Sequence, residues 1–157
     1  METEAIVIGA GAVGLACAAA LARSGRETLV LESAEGIGTG TSARNSEVIH
    51  AGLYYPTGSL RHRMCVSGRR KLYHWLSERG VPHRKTGTLI VGTSDAQIPR
   101  MQALFEQGQR NDVEGLHFLT GAEAIALEPE LTCKAAVLSE ETGIEVRDLP
   151  SLRLAME

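Results

Sequence analysis

A glycine-rich turn between a short apolar run and a helix constrains this 157-residue chain more than any other feature. The turn reads GAGAVG at residues 9–14, and the apolar run AIVI before it is typical of a strand buried on both faces. The helix after it runs from Ala12 to Ser24, and Gly25 is suited to end it in a left-handed conformation. A second apolar run, TLVL at residues 28–31, completes a βαβ unit. The sequence therefore predicts a Rossmann-like α/β fold with a mostly parallel sheet.

The turn also has the spacing of a dinucleotide-binding fingerprint. Its first glycine permits a tight turn, its second lets a pyrophosphate approach the backbone, and its third permits close packing of the helix on the strand. The helix N-terminus offers free N–H groups and about half a positive charge to phosphates. An acidic residue after the second strand can accept hydrogen bonds from ribose hydroxyls and would repel the 2′-phosphate of NADP. The predicted cofactor-binding residues are Gly9, Gly11, Ala12, Gly14 and Glu32.

This fingerprint alone leaves two questions open. It does not separate NAD from FAD, because both carry an adenosine ribose with free hydroxyls. A structural glycine turn in another α/β protein is the remaining alternative, although the strand, helix and acidic residue at the expected positions argue against it.

The segment TGTSARNSEVIHAGLYY, residues 39–55, is rich in hydroxyl groups and follows the second strand. In FAD proteins of this layout the ribityl and flavin half of the cofactor extends past that strand. The hydroxyls and backbone N–H groups of the segment can therefore bind phosphate or ribityl oxygens. The alternative is a solvated loop in which Ser42 caps a short helix that runs toward Ile49.

The longer stretch EGIGTGTSARNSEVIHAGLYYPTGSLRHRMCVSGRRKLY resembles the L-2-hydroxyglutarate dehydrogenase/oxidase proteins. These belong to the D-amino-acid-oxidase-like, or glycine oxidase-like, FAD-dependent oxidoreductases. RGVPHRKTGTLIVGTSDA, LEPEL and ETGI add to the resemblance, which covers nearly all of residues 4–144. It implies FAD, bound non-covalently or covalently, and oxidation of a 2-hydroxy acid by hydride transfer to the flavin.

The resemblance also implies which residues lie along the cofactor. Beyond the fingerprint they are Thr41, Ser42, Asn45, Ser46 and His50. His50 is the candidate catalytic residue, because a neutral imidazole can accept a hydroxyl proton as hydride leaves. It can instead only pack beside the flavin or satisfy a hydrogen bond in the core. Tyr54 and Tyr55 either line the flavin or substrate entrance or belong to the core and its rim.

The resemblance further implies how the chain is organised. Residues 1–80 are expected to form the FAD-binding part, and residues 81–144 the beginning of an α+β substrate domain. Residues 145–157 form a divergent tail, because EVRDLPSLRLAME stands where the family continues differently. The family is more than twice this length, so the chain has the appearance of a truncated or frameshifted reading frame. A catalytically inactive nucleotide-binding fragment is therefore one alternative, and an amine or amino-acid oxidase of the same superfamily is another.

Composition sets limits on partners and compartment. The net charge of −3 gives no overall field that favours nucleic acid. Three widely spaced cysteines indicate a reducing compartment and no zinc site. The apolar run 12–22 is too short to span a bilayer and lacks basic residues before it. We expect a cytoplasmic protein whose partners are a small 2-hydroxy acid and oxygen or a quinone. A quinone acceptor would require peripheral association with the inner membrane.

The rest of the chain gives local signals of helices and strands. Helices are expected at 59–79, at 95–111 with Asp95 as the cap, and at 121–127, where Thr120 and Glu123 form a capping box. Strands are expected at 86–93, 116–119 and 135–138. The apolar face of the 59–79 helix is predicted from the spacing of Leu60, Met64, Leu72 and Leu76. Its basic residues are then expected to be solvated, or to steer a dicarboxylate; they are Arg61, Arg63, Arg69, Arg70 and Lys71.

Overall fold

The glycine-rich turn lies between a strand and a helix, as predicted. In the computed structural model, which describes residues 3–145, strand β1 is Ala5–Ile8, helix α1 is Ala12–Arg23 and strand β2 is Thr28–Leu31. β1 and β2 pair in parallel, in a register that sets Ala5 beside Thr28. The predicted left-handed cap of α1 is confirmed, because Gly25 has a φ of 87°. Its N–H donates to the Ala22 carbonyl at 2.9 Å.

The β1–β2 sheet is covered on one face only. α1 packs on the face that carries Val7 and Val30, whereas the side chains on the other face remain exposed. Ile8 is 86% exposed and Ile6 58%, and Leu29 and Leu31 are nearly half exposed. The expectation of strands buried on both faces is thus wrong for the described residues. Within residues 3–145, only α1 packs on this sheet, although both of its faces are apolar.

The described residues divide into two compact units, one ending at Ser46 and the other beginning at Glu47. In the second unit, the strand Val48–Ile49 (β3) and the helix Leu60–Glu78 (α2) are followed by the strand His83–Arg84 (β4). The remaining elements are β5 Thr88–Gly92, α3 Ile98–Arg110, β6 Leu116–Thr120, α4 Gly121–Leu127, β7 Ala135–Ser139 and β8 Gly143–Glu145. The predicted functional division near residue 80 stays a prediction. Of the predicted tail, residues 145–157, only Glu145 lies within the described residues.

Two antiparallel sheets organise the second unit. One has the order β3-β8-β4, and the other has the order β5-β7-β6, with β7 in the centre. Helix α3 packs on one face of the larger sheet, around Met101 and Val137. Helix α4 packs on the opposite face, around Ala124 and Ala136. The strand predictions at 86–93, 116–119 and 135–138 are confirmed, and the fold combines a parallel pair with an antiparallel α+β part.

Two local predictions are wrong. Thr41–Ala43 forms only one 3₁₀ turn, and Val48–Ile49 is a strand, so no helix runs from Ser42 toward Ile49. Glu47, with a φ of 58°, lies in the left-handed region and stops any such helix. The helix expected to start at Asp95 is capped by Ser94, which shares a capping box with Gln97. The capping box at Thr120 and Glu123 is confirmed.

Helix α2 turns a different face toward the core than predicted. Its buried residues are Val66, Arg69, Tyr73 and Leu76. Leu60 and Met64, two of the residues that predicted the apolar face, are 67% and 57% exposed. The expectation that Arg69 is solvated is therefore wrong, since its side chain is almost fully buried.

Candidate functional site

The glycine turn has the close packing that the fingerprint predicts. Gly9 has a φ of 100°, a conformation that residues with a Cβ rarely adopt. A Cβ built at Gly14 would lie 1.9 Å from the Gly9 carbonyl oxygen, so a side chain there is incompatible with this turn. These two glycines are thus required by the backbone of the unit itself, independently of any ligand.

Ser42 lies at the N-terminus of α1. Its hydroxyl oxygen accepts a hydrogen bond from the Ala12 N–H at 2.9 Å, across 30 residues of sequence. The Gly38 N–H donates to the Ala10 carbonyl at 2.9 Å, which ties the same polar segment to the glycine turn. Ser42 therefore caps α1 rather than a helix of its own. Its hydroxyl proton is not used in the bond from Ala12, so it can be donated to an anion at this helix end.

The space at Gly11 is limited by the same hydroxyl. A Cβ at Gly11 would lie 3.1 Å from Ser42 Oγ. An α-helix leaves its first N–H groups without acceptors in the helix, and Gly11 has no side chain to satisfy them. The residues around this helix end are thus suited to a diphosphate, which needs N–H and O–H donors and no intervening side chain.

Glu32 is fixed by backbone donors. One carboxylate oxygen accepts from the Ala34 N–H at 2.9 Å, and the other accepts from the Ala10 N–H at 2.8 Å. These two bonds, that from Ala34 first, hold the pKa of Glu32 below its ordinary value of 4.5. The ionised carboxylate therefore lies beside the glycine turn with lone pairs left for further donors, such as the hydroxyls of a ribose.

Three other predicted residues lie in the same unit, on the exposed polar segment. Thr41 begins the 3₁₀ turn, and the Asn45 side-chain amide donates to the Ser42 carbonyl at 3.0 Å. Ser46 is exposed at the end of the unit. The structure thus brings Gly9, Gly11, Ala12, Gly14, Glu32 and Ser42 together. Roles in cofactor binding stay predictions for all of these residues.

His50 belongs to the second unit, directly after β3. Its ring is exposed and lines a cavity of about 200 Å³. Half of its lining residues are aliphatic, and Tyr54, Thr88 and Thr142 are its hydroxyl-bearing residues. Burial raises the pKa of the Tyr54 phenol above its ordinary value, so the phenol is neutral at physiological pH and can donate a hydrogen bond. The lining thus combines one imidazole with three hydroxyl-bearing residues, of which Thr142 also shares a hydrogen bond with Ser139 at 3.2 Å.

Two polar residues that sequence reasoning missed support the backbone behind this cavity. Arg69 is 3% exposed, ion-pairs with Glu114 and donates to the Ala51 carbonyl at 3.4 Å. Asn111 is fully buried and donates to the Gly52 carbonyl at 3.0 Å. The spacing of Val66, Arg69, Tyr73 and Leu76 on one helical face was a signal for Arg69. Nothing local marks Asn111, because its partners lie more than 50 residues away.

The ion pairs around Arg69 also affect Glu114. Partial burial alone would raise the pKa of this carboxyl. Hydrogen bonds from its own backbone, Arg69 and Arg70 outweigh that effect and hold the pKa below its ordinary value. Arg69 Nε lies 3.7 Å from a Glu141 oxygen, beyond hydrogen-bond range, so that contact is only an electrostatic attraction.

Several relatives share sequence with most of the chain. It is 51% identical over 143 residues to the mitochondrial L-2-hydroxyglutarate dehydrogenase of Arabidopsis thaliana, a match that covers 91% of this chain and 30% of that protein. It is 35% identical over 143 residues to the human mitochondrial L-2-hydroxyglutarate dehydrogenase, covering 90% of this chain and 31% of that protein. The chain thus spans about a third of the length of the curated relatives it matches.

Solved structures share the fold. The dithionite-reduced L-α-glycerophosphate oxidase of Mycoplasma pneumoniae, solved with FAD bound, superposes with a TM-score of 0.88 at 26% identity and covers 99% of this chain and 42% of that one. The glycine oxidase of Geobacillus kaustophilus superposes with a TM-score of 0.80 at 19% identity, covering 98% and 43%, which shows the fold alone. No helix within residues 3–145 is long and apolar enough to cross a membrane.

A family profile accounts for nearly the whole chain. Residues 4–149 match the family described as FAD dependent oxidoreductase, which is also abbreviated DAO. The sequence prediction of an FAD-type α/β fold is thereby confirmed, and FAD is the cofactor on which this family depends. The chain belongs to the FAD dependent oxidoreductase family.

Proposed function

We propose that the chain provides the FAD-binding part and the beginning of the substrate domain of an enzyme that oxidises a 2-hydroxy acid of the L-2-hydroxyglutarate type. One observation carries this proposal: Ser42, Glu32 and the glycine turn place an O–H donor, a carboxylate acceptor and a backbone without side chains at one helix end. The 51% identity to an L-2-hydroxyglutarate dehydrogenase supports the choice of substrate class.

The residues would divide the work of holding FAD. The N-terminus of α1, with Ala12 and Ser42, would hold the diphosphate, and Glu32 would accept bonds from the ribose. Thr41, Asn45 and Ser46 would contact the remaining length of the cofactor. When bound, FAD supplies an acceptor for the two electrons and the hydrogen that leave the substrate carbon as hydride. His50 would take the hydroxyl proton of the substrate, since a neutral imidazole has a free acceptor nitrogen.

The first experiment measures FAD binding and reduction. The purified chain is titrated with FAD while its visible spectrum is recorded, and L-2-hydroxyglutarate is then added without oxygen. We expect flavin uptake followed by bleaching. D-2-Hydroxyglutarate is the stereochemical control, and glycerol 3-phosphate, glycine and sarcosine test other substrates of related flavoproteins. Absence of flavin uptake would contradict the proposal as a whole.

A variant tests where the cofactor lies. Gly11→Val places a branched side chain at the helix end, where a Cβ alone already lies 3.1 Å from Ser42 Oγ. We expect it to abolish FAD binding, because the diphosphate and the side chain would occupy the same space. Glu32→Ala should weaken FAD binding roughly tenfold, the factor expected for one lost charged hydrogen bond. Unchanged affinity in both variants would show that the cofactor lies elsewhere.

A second candidate is FAD binding without turnover. It is favoured by the apolar face of the β1–β2 sheet, where Ile8 is 86% exposed. Under this candidate the flavin spectrum forms but L-2-hydroxyglutarate does not bleach it. The electron acceptor, oxygen or quinone, and the cytoplasmic location expected from the sequence stay predictions. Covalent attachment of FAD would appear as flavin that remains with the chain after denaturation.

A further inference from the structure

The connection between β3 and α2 is held by side chains rather than by secondary structure. We call residues 50–57 the cradled segment; it contains neither helix nor strand. Five of its carbonyl groups accept hydrogen bonds from side chains of α2, α3 or the residue after α3. The donors are Cys65 to His50 at 3.3 Å, Arg69 to Ala51 at 3.4 Å, Asn111 to Gly52 at 3.0 Å, Gln107 to Leu53 at 2.9 Å and Asn111 to Tyr55 at 2.8 Å.

Asn111 is central to this arrangement. Its side chain is fully buried, and both hydrogens of its amide are used on the carbonyls of Gly52 and Tyr55. Its amide oxygen accepts from the Thr57 hydroxyl at 2.7 Å. The amide orientation follows from the chemistry, because carbonyl oxygens only accept hydrogen bonds. Gln107, one helical turn earlier, adds a second donor to Tyr55 at 3.2 Å.

The backbone of Asn111 is itself held by a side chain, that of His62. His62 accepts from the Gly58 N–H at 3.0 Å through Nδ1, and its Nε2 lies 2.9 Å from the Asn111 carbonyl. Since one partner only donates and the other only accepts, the imidazole must be the neutral Nε2–H tautomer. The start of α2 and the end of α3 are therefore joined through the same asparagine.

The cradled segment carries two side chains that its own packing does not fix. His50 and Tyr54 are both exposed, Tyr54 to 54%, and both line the cavity of about 200 Å³. Where these side chains lie depends on the backbone that carries them, because few neighbours restrict them. The side-chain donors described above all come from elsewhere in the unit.

We propose that Asn111, assisted by Gln107, is a positioning residue that fixes His50 and Tyr54 at this cavity. It acts through the backbone of the cradled segment and contacts neither side chain's reacting atoms. The proposal rests on the proposed function in one respect, namely that His50 receives the substrate proton there. Loss of the amide donors frees the Gly52 and Leu53 carbonyls, so the segment samples other conformations and the imidazole is misplaced for part of the time.

Two variants and two controls test this role. Asn111→Ala removes three hydrogen bonds, and Gln107→Ala removes the two that its amide donates to the Leu53 and Tyr55 carbonyls. Gln102→Ala is the matched control for Gln107, because Gln102 is exposed on the same helix and donates to Glu106 at 3.1 Å. Thr57→Val removes the bond to the Asn111 oxygen and keeps both bonds from its nitrogen. If Asn111→Ala does not fold, Gln107→Ala carries the test.

The first readout needs no cofactor. The ring resonances of His50, assigned by their loss in His50→Gln, are followed together with hydrogen exchange of the amides of residues 51–58. In Asn111→Ala and Gln107→Ala we expect the His50 signals to shift or broaden. Exchange in the segment should be about tenfold faster, as loss of one or two buried hydrogen bonds implies. Gln102→Ala should resemble the unmodified protein, and Thr57→Val, which keeps the bonds from the Asn111 nitrogen, should change the His50 signals less than Asn111→Ala. Unchanged His50 signals in both test variants would overturn the proposal.

The second readout separates positioning from a merely structural role. In the FAD-loaded protein, Gln107→Ala should lower the limiting rate of reduction by L-2-hydroxyglutarate about tenfold and change the Kd for FAD less than twofold. A lower melting temperature with an unchanged limiting rate and unchanged His50 signals would make Gln107 and Asn111 structural only. If the unmodified protein binds FAD and is not reduced, the proposed function fails, whereas the resonance and exchange data still decide the positioning role.

Discussion

The two units of the chain build polar sites by different means. In the unit that ends at Ser46, backbone N–H groups and glycines shape the site, and Glu32 and Ser42 are its principal side chains. In the unit that begins at Glu47, the backbone is the part being held, and buried side chains such as Arg69 and Asn111 hold it. The first unit has an exposed apolar sheet face, whereas the second packs its larger sheet between two helices.

This difference determines which changes each unit tolerates. A site formed by backbone groups loses its shape when a side chain is added at one of its glycines. The new side chain meets backbone atoms, and these cannot move without unfolding the turn. A site held by side chains fails when a donor is removed, because buried carbonyls are then left without partners. Variants of the two kinds therefore distinguish the units.

The largest effect is expected at Gly14. In Gly14→Val the Cβ would lie 1.9 Å from the Gly9 carbonyl oxygen, which belongs to the turn itself. Overpacking against side chains typically costs about 1–3 kcal/mol, and a backbone obstacle should cost more. We expect no FAD uptake and fast hydrogen exchange throughout β1 and β2. Fluorescence of Trp75, the single tryptophan, reports whether the second unit is still folded. FAD affinity equal to that of the unmodified protein would contradict this account of the turn.

The next effect is expected at Arg69. Arg69→Met keeps much of the side-chain volume and removes the charge beside Glu114 and Glu141. Removing one partner of a fully buried pair costs about 3–5 kcal/mol. Because Glu114 is about half exposed, we expect a loss of about 2–3 kcal/mol in the free energy of unfolding, followed by Trp75 fluorescence in urea.

Arg70→Met is the matched control. Arg70 binds the same carboxylate, but its side chain is 46% exposed, so the loss should stay below about 1 kcal/mol. Equal losses in the two variants would show that burial does not distinguish these neighbouring arginines.

A smaller effect depends on pH and concerns Glu32. The N–H groups of Ala34 and Ala10 hold its pKa in the folded protein below 4.5. A lowered pKa means that its stabilisation is fully present above pH 4.5 and is lost as the pH falls through the folded value. Glu32→Gln should therefore be less stable than the unmodified protein at neutral pH, and the difference should shrink in acid. Urea midpoints from circular dichroism measure this; a difference that does not depend on pH would contradict it.

The sequence predicted those features that depend on neighbours within one or two turns of the chain. The capping box of Thr120 and Glu123 spans three residues, and the cap at Gly25 follows directly from the end of α1. The close approach of Gly14 to Gly9 is likewise local. In each case the interacting groups are encoded side by side, so spacing alone identifies them.

The features that the sequence did not predict depend on distant partners. Ser42 resembles a local helix cap, yet its hydroxyl caps α1 from 30 residues away. Arg69 carries a charge that favours solvent until Glu114 and the Ala51 carbonyl are brought to it. The apolar sequences of β1 and β2 predict strands buried on both faces, yet one face is exposed. Hydrophobicity alone does not show whether helices cover one face of a sheet or both.

The smallest effect is expected at Gly68. A side chain added there should stabilise the protein, whereas one added at Gly14 should destabilise it, although both glycines lie within helices. Gly68 is exposed in α2, and a Cβ built there meets no atom within 4 Å. An added methyl group therefore restricts the unfolded chain without strain in the folded one. Gly68→Ala should raise the free energy of unfolding, measured by Trp75 fluorescence in urea, by about 0.5–1 kcal/mol. A loss of stability instead would show that another group packs against α2 at Gly68 and leaves no room for a Cβ. The second unit would then depend on a glycine for close packing, as the first unit does at Gly14.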